Sequence, residues 1–396
     1  MSVASQIAVL AAVNLRSIPK RPGNSLVIVI GMANVVAVFV SVLAMSLGFR
    51  ATLSADASDH RAVVFGRYAE SEDASSITRA TLSKLQELPG ILRDAEGLPV
   101  VSAETIHVAP VARKHDGSDV NVTLRGVGAQ YFSVRPELHL IAGRLYRPGL
   151  QELIVGDAAL EQFSGLSIGN RIRLQEGDWT VVGIYSGSNG ARASELVADA
   201  QTVLSAYKID TYSTVGVALN SPSALNELQA AVAADPNLEV NVRAEPAYLA
   251  AASGSVGRML KFVAYGIGSI MGLGAMFGAL NSMHSAVTAR GVELATLKAI
   301  GFGPTAVIVA LLIEAVLLAA LGAAVGLCIA FAAFNGRAIS TIGGALWDSQ
   351  LVYALNITLP LAFFATAFAC ALGLLGALPP AIRAARMNVA AGLHTS

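Results

Sequence analysis

Four long uncharged stretches set the frame for this chain. A helix needs about 20 apolar residues to cross the hydrocarbon core of a bilayer. Runs of that length occur at Pro22–Phe49, Phe262–Ala289, Pro304–Phe334 (broken only by Glu314) and within Gln350–Ile382. The first is too long for the core of a signal peptide and carries no Ala-x-Ala cleavage site, so it reads as a retained anchor. Composition agrees. Of 396 residues, 54% are hydrophobic and 14% charged, where a soluble domain carries about 25% charged residues. The 27 basic and 27 acidic residues cancel. With no Lys/Arg-rich run either, a nucleic-acid partner has no electrostatic basis.

The expected architecture is an α-helical membrane protein with four transmembrane helices and a large extracytoplasmic α+β domain between the first and second. Basic residues near the span ends orient it. Arg16, Lys20 and Arg21 precede the first run, Arg290 and Lys298 fill the gap between the second and third, and Arg383 and Arg386 follow the fourth. Both termini and the 290–303 segment are therefore predicted on the cytoplasmic side. The predicted segments are an interfacial helix at 1–21, spans at 22–49, 262–289, 304–334 and 355–378, an outer domain at 50–261, a cytoplasmic helix at 290–303, a short outer loop at 335–354 and a cytoplasmic tail at 379–396. Apolar residues at 7, 10, 11, 15 and 18 give the first segment an amphipathic stripe that suits the inner interface.

Within the outer block, 75–88 has near-helical apolar spacing and 119–127 alternates like a half-buried strand. Residues 170–185 read as a hairpin turning at Glu176-Gly177-Asp178. Residues 222–236 read as a helix capped by Ser221 or Ser223 and closed by Pro236. Residues 246–261 are expected to run on as helix into the second span. Of the outer aromatics, Phe65, Tyr68, Tyr131, Phe132, Trp179 and Tyr185 are expected to fill a core rather than line a cavity.

Several chemistries find no support. There is no G-x-x-x-x-G-K-[ST], H-E-x-x-H or EF-hand pattern, so the chain supplies no recognisable cradle for nucleotide phosphates or metal. The six histidines are scattered, and Cys328 and Cys370 read as small buried hydrophobes. Gly165-Leu166-Ser167-Ile168-Gly169 matches an esterase pattern, but a nucleophile elbow needs a strand before it and a helix after it. Here a hairpin follows, so a turn is the better reading.

The segment "RGVELATLKAIGFGP" (290–304) stands out because it is charged and lies between two apolar runs. On helical geometry Arg290 and Glu293 are neighbours able to pair. Leu294, Leu297 and Ile300 recur at spacings of three, with Val292, Ala295 and Ala299 beside them. The expectation is a short helix with an apolar ridge that lies on lipid headgroups or enters a groove on a partner. Gly301 is placed to stop it, and Pro304 to start the next helix. Glu314 falls roughly 15 Å along the third span. A carboxylate at that depth is a functional candidate by default. A structural role, conformational coupling and proton or ion movement all remain open for it. Gly268/Gly272, Gly274/Gly278 and Gly322/Gly326 are small-xxx-small pairs suited to close helix packing, or simply the glycine background of membrane helices.

The stretch 289–326 resembles the signature of ABC-transporter permeases of the FtsX/MacB superfamily. Arg290, Glu293, Lys298, Ala299, Ile300, Gly301, Glu314, Ala315, Gly322 and Gly326 carry the match. The ending "PPAIRAARMNVAAGL" (379–393) is similar to the family's C-terminus. Residues 142–185 resemble the MacB-type periplasmic core domain. The resemblance implies that the 290–303 segment is a coupling helix docking on a separate ABC ATPase, present in two copies. ATP and Mg would then be bound by that ATPase, and no cofactor or metal by this chain. It also implies a second permease chain (homodimer or homologous heterodimer) and a possible periplasmic adaptor or lipoprotein. Two activities follow as alternatives: ATP-driven export or extraction of a lipid, lipoprotein, peptide or amphipathic drug, and FtsX-like activation of an extracytoplasmic cell-wall hydrolase.

Overall fold

The computed structural model describes residues 3–17, 22–69, 71–175, 177–187, 190–342 and 349–387. Ile18, Lys20, Arg21, Glu176, His394 and the end of the C-terminal motif lie outside the described residues. The chain divides into two compact units. One comprises residues 1–46, 259–336 and 355–396, and the other residues 47–258 and 337–354.

The first unit is helical. It holds α1 (Val3–Ser17), most of α2 (Pro22–Ser54), the larger part of α8 (Glu245–Ala289), α9 (Gly291–Ala299), α10 (Pro304–Phe334) and α11 (Leu359–Arg386). Four of these, α2, α8, α10 and α11, are long and apolar enough to cross a membrane. Two boundaries differ from the sequence reading. The helix of the second run begins at Glu245, so 45 residues are continuous where about 20 would span a bilayer. The fourth helix does not stop at residue 378. It continues through Pro379 and Pro380 to Arg386. Each proline removes one helical hydrogen bond without ending the helix, because Pro380, Ala381, Ala384 and Ala385 stay buried and packing holds that stretch in place.

The second unit is built on one mixed sheet. Its strands among the described residues are β1 (Arg61–Gly66), β2 (Val101–Ala112), β3 (Asp119–Val127), β4 (His139–Gly143), β5 (Glu152–Gly156), β6 (Arg171–Leu174), β7 (Gly177–Ser186), β8 (Leu196–Asp199), β9 (Thr214–Ala218), β10 (Val240–Ala244), β11 (Ala338–Ile342) and β12 (Ser349–Ala354). The order is β10-β1-β9-β2-β3-β8-β5-β7-β4, with β6 on β7 and β12 on β3. The helices α3 (Arg79–Gln86), α4 (Tyr131–Val134), α5 (Asp157–Gln162), α6 (Ala200–Tyr207) and α7 (Ala224–Ala234) complete it. Valine-rich segments such as Ala62–Phe65 and Thr214–Ala218 form the central strands because branched side chains suit a pleated, doubly buried surface. One apolar core gathers Val64, Leu85, Val215, Val217 and Leu228, and a second gathers Leu124, Leu153, Phe163, Trp179 and Leu196.

Local signals explain most element ends. α3 starts at Arg79 because the Thr78 side chain accepts from the Thr81 N–H. It is shorter than expected, since Ile77 pairs with Tyr212 as a β-bridge. Ser223 precedes α7 without a side-chain cap, and Pro236 lies just past its end. The β6–β7 hairpin pairs Leu174 with Gly177, so its turn falls earlier than expected, at Gln175, which has φ +51°. Ser167 lies between Gly165 and Gly169, both at positive φ, in a turn that leads into β6. Phe65, Tyr131, Trp179 and Tyr185 are fully buried, whereas Tyr68 is 85% exposed.

The expected outer loop 335–354 is not a loop. β11 and β12 form a hairpin, and β12 extends the sheet by pairing parallel to β3 at Asn121 and Val122. Arg113 donates to Gln350 at 2.6 Å, and the Val352 N–H donates to the Ser194 hydroxyl at 3.0 Å. β11 lies next to β12 in sequence, but the strand that joins the hairpin to the sheet, β3, lies more than 200 residues away, so no local signal marks the segment as part of the sheet.

Candidate coupling site

The region between α8 and α10 carries Arg290, Glu293 and Lys298. α8 stops at Ala289, and Arg290 (φ −105°, ψ 17°) turns the chain into α9. At the other end, the Gly301 N–H donates to the Lys298 carbonyl (3.1 Å) and the Phe302 N–H to the Leu297 carbonyl (3.1 Å). This is a Schellman closure, and it needs the left-handed backbone of Gly301 (φ +102°). Gly303 then precedes α10, with Pro304 in its first turn.

Both charged ends of α9 face inward. Arg290 is 5% exposed. Its Nη1 lies 3.1 Å from Asn14 Oδ1 on α1 and 3.4 Å from Glu314 Oε2 on α10. The expected pair with Glu293 is therefore replaced, and Glu293 stands exposed on α9. Burial decides this. An exposed pair contributes only about 0.2–0.5 kcal/mol on a helix surface, whereas a carboxylate buried on α10 demands a cation within reach. Lys298 Nζ donates to the carbonyls of Ala385 (2.8 Å) and Met387 (2.7 Å), placing a cation on the C-terminal end of α11. The Gly303 N–H donates to Gln6 Oε1 at 3.1 Å. Three helices, α1, α10 and α11, thus hold α9.

The expected ridge is split. Leu294 (5% exposed) and Ala295 (3%) are buried, Leu297 is half-buried and Ile300 is 72% exposed. Each step of three residues lags the 3.6-residue turn by about 60°, so two steps carry the side chain some 120° around the helix. Val292, Glu293, Thr296, Ala299 and Ile300 form the exposed strip instead.

The glycine pairs separate in the same way. A Cβ on Gly322 would lie 2.7 Å from the Val29 carbonyl oxygen, and one on Gly326 would overlap the Ala33 carbonyl, so α2 and α10 touch backbone to backbone there. Gly268 faces the Phe39 ring and Gly272 faces Leu372 and Phe368. Gly274 and Gly278 have open space at their Cβ positions.

Asn14 and Gln6 escaped the sequence reading. Asn14 continues the stripe of residues 7, 10 and 11, and a lone amide on an apolar stripe was the available signal. A larger omission lies in the outer unit, where four arginines and five glutamates among the described residues form a buried network. Arg125 is bidentate to Glu195 (2.6 and 2.9 Å) and reaches Glu104 (2.9 Å) and Glu72 (3.1 Å). Glu104 also binds Arg135 (2.9 Å) and Arg192 (3.4 Å). Arg135 reaches Glu245 (3.4 Å), which binds Arg61 (2.5 Å), which binds Glu137 (2.9 Å). Burial alone would push the Glu104 carboxyl up, but Arg135, Arg192 and Arg125 outweigh it and hold it at about 2. The same opposition lowers Glu195, where Arg125 and Arg192 overcome burial. Burial raises Tyr131 to about 12 and lowers His107 to about 4. The alternation at 119–127 reads as a half-buried strand, but the sheet is buried on both faces at Thr123, Leu124 and Arg125.

Comparisons with known proteins bear on both units. Residues 24–235 match the MacB-like periplasmic core domain, and residues 265–389 match the FtsX-like permease C-terminal family. Among solved structures, the chain is similar to the extracellular domain of the noncanonic ABC-type transporter YknZ from Gram-positive bacteria. Identity there is 19%, over 46% of this chain and 99% of that one, with a TM-score of 0.35. It is also similar to the periplasmic region of MacB from Actinobacillus actinomycetemcomitans, at 15% identity over 51% of this chain and 92% of that one, with a TM-score of 0.37. No curated protein matches the chain.

Proposed function

The chain belongs to the FtsX/MacB superfamily of ABC-transporter permeases, and on that premise we propose that it works as a non-catalytic permease subunit of MacB type. In this reading a separate cytoplasmic ABC ATPase binds and hydrolyses ATP with Mg2+. The α9 helix receives the resulting motion, and α2 and α8 carry it to the extracytoplasmic domain. The cargo is a lipid, lipoprotein, peptide or amphipathic drug, exported or extracted at the outer face of the membrane. Two ATPase chains and a second permease chain complete the complex, with an adaptor or lipoprotein outside. Both termini and α9 lie on the cytoplasmic side.

One observation carries the reading. α9 is held by α1, α10 and α11 while Val292, Glu293, Thr296 and Ile300 remain exposed. A short helix fixed from behind, with a mixed apolar and polar strip in front, can transmit a push without bending away. Arg290, Lys298 and Glu314 then serve to position α9. Leu294 packs behind it, Leu297 lies at the edge of the contact and Gly301 closes the helix. The size of the outer block, about 210 residues, supports the exporter reading, since FtsX-like regulators usually carry a smaller outer domain.

Co-purification from the native membrane tests this. A Walker-motif ATPase recovered with the chain, and lost from Val292→Asp, Glu293→Lys and Ile300→Asp variants that still reach the membrane, supports the proposal. Normal ATPase recovery with all three shows that the exposed strip is not the docking surface. Recovery of a peptidoglycan hydrolase alongside the ATPase moves the assignment to the regulator.

A further inference from the structure

The charged network of the outer unit reaches two helix ends within that unit. α2 ends at Ser54 and α8 begins at Glu245. Between these helix ends stands Arg61, the first residue of β1 and 6% exposed. Its Nε lies 2.5 Å from Glu245 Oε2, and its Nη2 donates to the carbonyl of Asp56, two residues past α2. The Ser58 N–H, in the same turn, donates to Glu245 Oε2 at 3.3 Å. One ion pair therefore gathers the turn that leaves α2 and the first residue of α8.

The surroundings fix this pair from every side. Arg61 Nη1 reaches Glu137 (2.9 Å) and the Val134 carbonyl (3.4 Å). Glu245 Oε1 faces Arg135, which continues through Glu104 to Arg125 in the middle of the sheet. Burial would lower the Arg61 guanidinium, but Glu245 and Glu137 raise it on balance, so it stays charged. Glu245 also sits at a helix N-terminus, where a carboxylate is favoured. One turn later Tyr248 packs on Phe65 of β1 at 5.5 Å and accepts from the Glu72 N–H at 3.1 Å.

Stability alone does not account for such an arrangement, because well-packed apolar residues generally stabilise a core as well as a buried ion pair does. What the ion pair adds is direction. A guanidinium bonded to acceptors from separate segments holds them in one relative position. We propose that Arg61 and Glu245 form a clamp that ties the outer ends of α2 and α8 to each other and to the sheet, so that the two helix ends move as one body. The mechanical use of this clamp rests on the function proposed above, but its existence does not.

Pulsed electron spin resonance on the full chain in nanodiscs tests it. Labels go at the exposed positions 51 on α2 and 251 on α8, with Cys328 and Cys370 replaced by Ala. A second pair at the exposed positions 83 on α3 and 226 on α7 reports the sheet. The native network should give one narrow 51–251 distance. Glu245→Gln and Arg61→Gln should each broaden it about twofold or more, since each removes one side of the buried pair that joins the two helix ends, with the 83–226 distance unchanged. Glu152→Gln, which breaks the exposed pair with Arg144, should alter neither distance. An unchanged 51–251 distribution in both network variants overturns the clamp. Broadening of both pairs together also overturns it, because the network would then hold the whole sheet. The measurement needs no ATPase, so it separates failure of the clamp from failure of ATPase docking.

Discussion

Replacing Glu104 by Gln removes the carboxylate at the centre of the outer network while keeping the side-chain shape. Glu104 is fully buried and bound to Arg125, Arg135 and Arg192. A carboxyl held at about 2 instead of 4.5 favours the ionised form in the folded state by about 3 kcal/mol at neutral pH. Removing one partner from a buried ionic cluster costs about 3–5 kcal/mol by independent measure, so a loss of about 3 kcal/mol is expected for Glu104→Gln. The sign of the pH dependence follows from the lowered value. The stabilisation is fully present above 4.5 and is lost as the pH falls from there towards 2. The assay is denaturant unfolding of the full chain in detergent micelles, followed by the fluorescence of Trp179 with Trp347 changed to Phe. The gap between variant and parent should be near its full size at pH 7 and should close as the pH approaches 2. A gap below about 1 kcal/mol at pH 7 would refute the reasoning. So would a gap that stays constant down to the lowest pH.

Glu314→Gln should remove the buried carboxylate 3.4 Å from Arg290 and lower the resistance of the helical unit to denaturing detergent by about 3 kcal/mol. An unaltered detergent midpoint would show that the charge is dispensable. Gly322→Leu should force α2 and α10 apart and cost about 1–3 kcal/mol, whereas Gly274→Leu, with open space at its Cβ position, should be neutral by the same assay. His107 is held neutral by burial, with its value lowered to about 4. The unfolded chain therefore takes up a proton first, and stability should decline as the pH falls from 6.5 to 4. His107→Gln should flatten that slope, and an unchanged slope would assign the proton uptake elsewhere. Ser167→Ala should leave transport or regulation intact, and loss of function would revive a hydrolytic role.

Local sequence carried the elements whose cause is local. The third apolar run, Pro304–Phe334, coincides with α10, because hydrocarbon thickness and a Gly-Pro start are both written in consecutive residues. The strand at 119–127 and the stop at Gly301 are of the same kind. The motif 289–326 also led to the family. The direction in which a charged side chain turns was not legible. Arg290 has Glu293 three residues away, yet it binds residues 276 and 24 positions distant.

By itself the sequence determined that the chain has four membrane-length apolar helices, one large mixed domain between the first two, and a short polar helix between the second and third. Periodicity and length suffice for these, since they are properties of contiguous residues. Only the tertiary structure decided that Arg290 braces Glu314, that Leu294 faces inward while Ile300 faces outward, and that residues 338–354 complete a sheet begun at Arg61. It alone placed Arg61 beside Glu245. The reason is the cost of burying charge. An ion pair or a sheet edge is satisfied by whichever partner the fold brings within about 3 Å, and chain separation has no part in that choice.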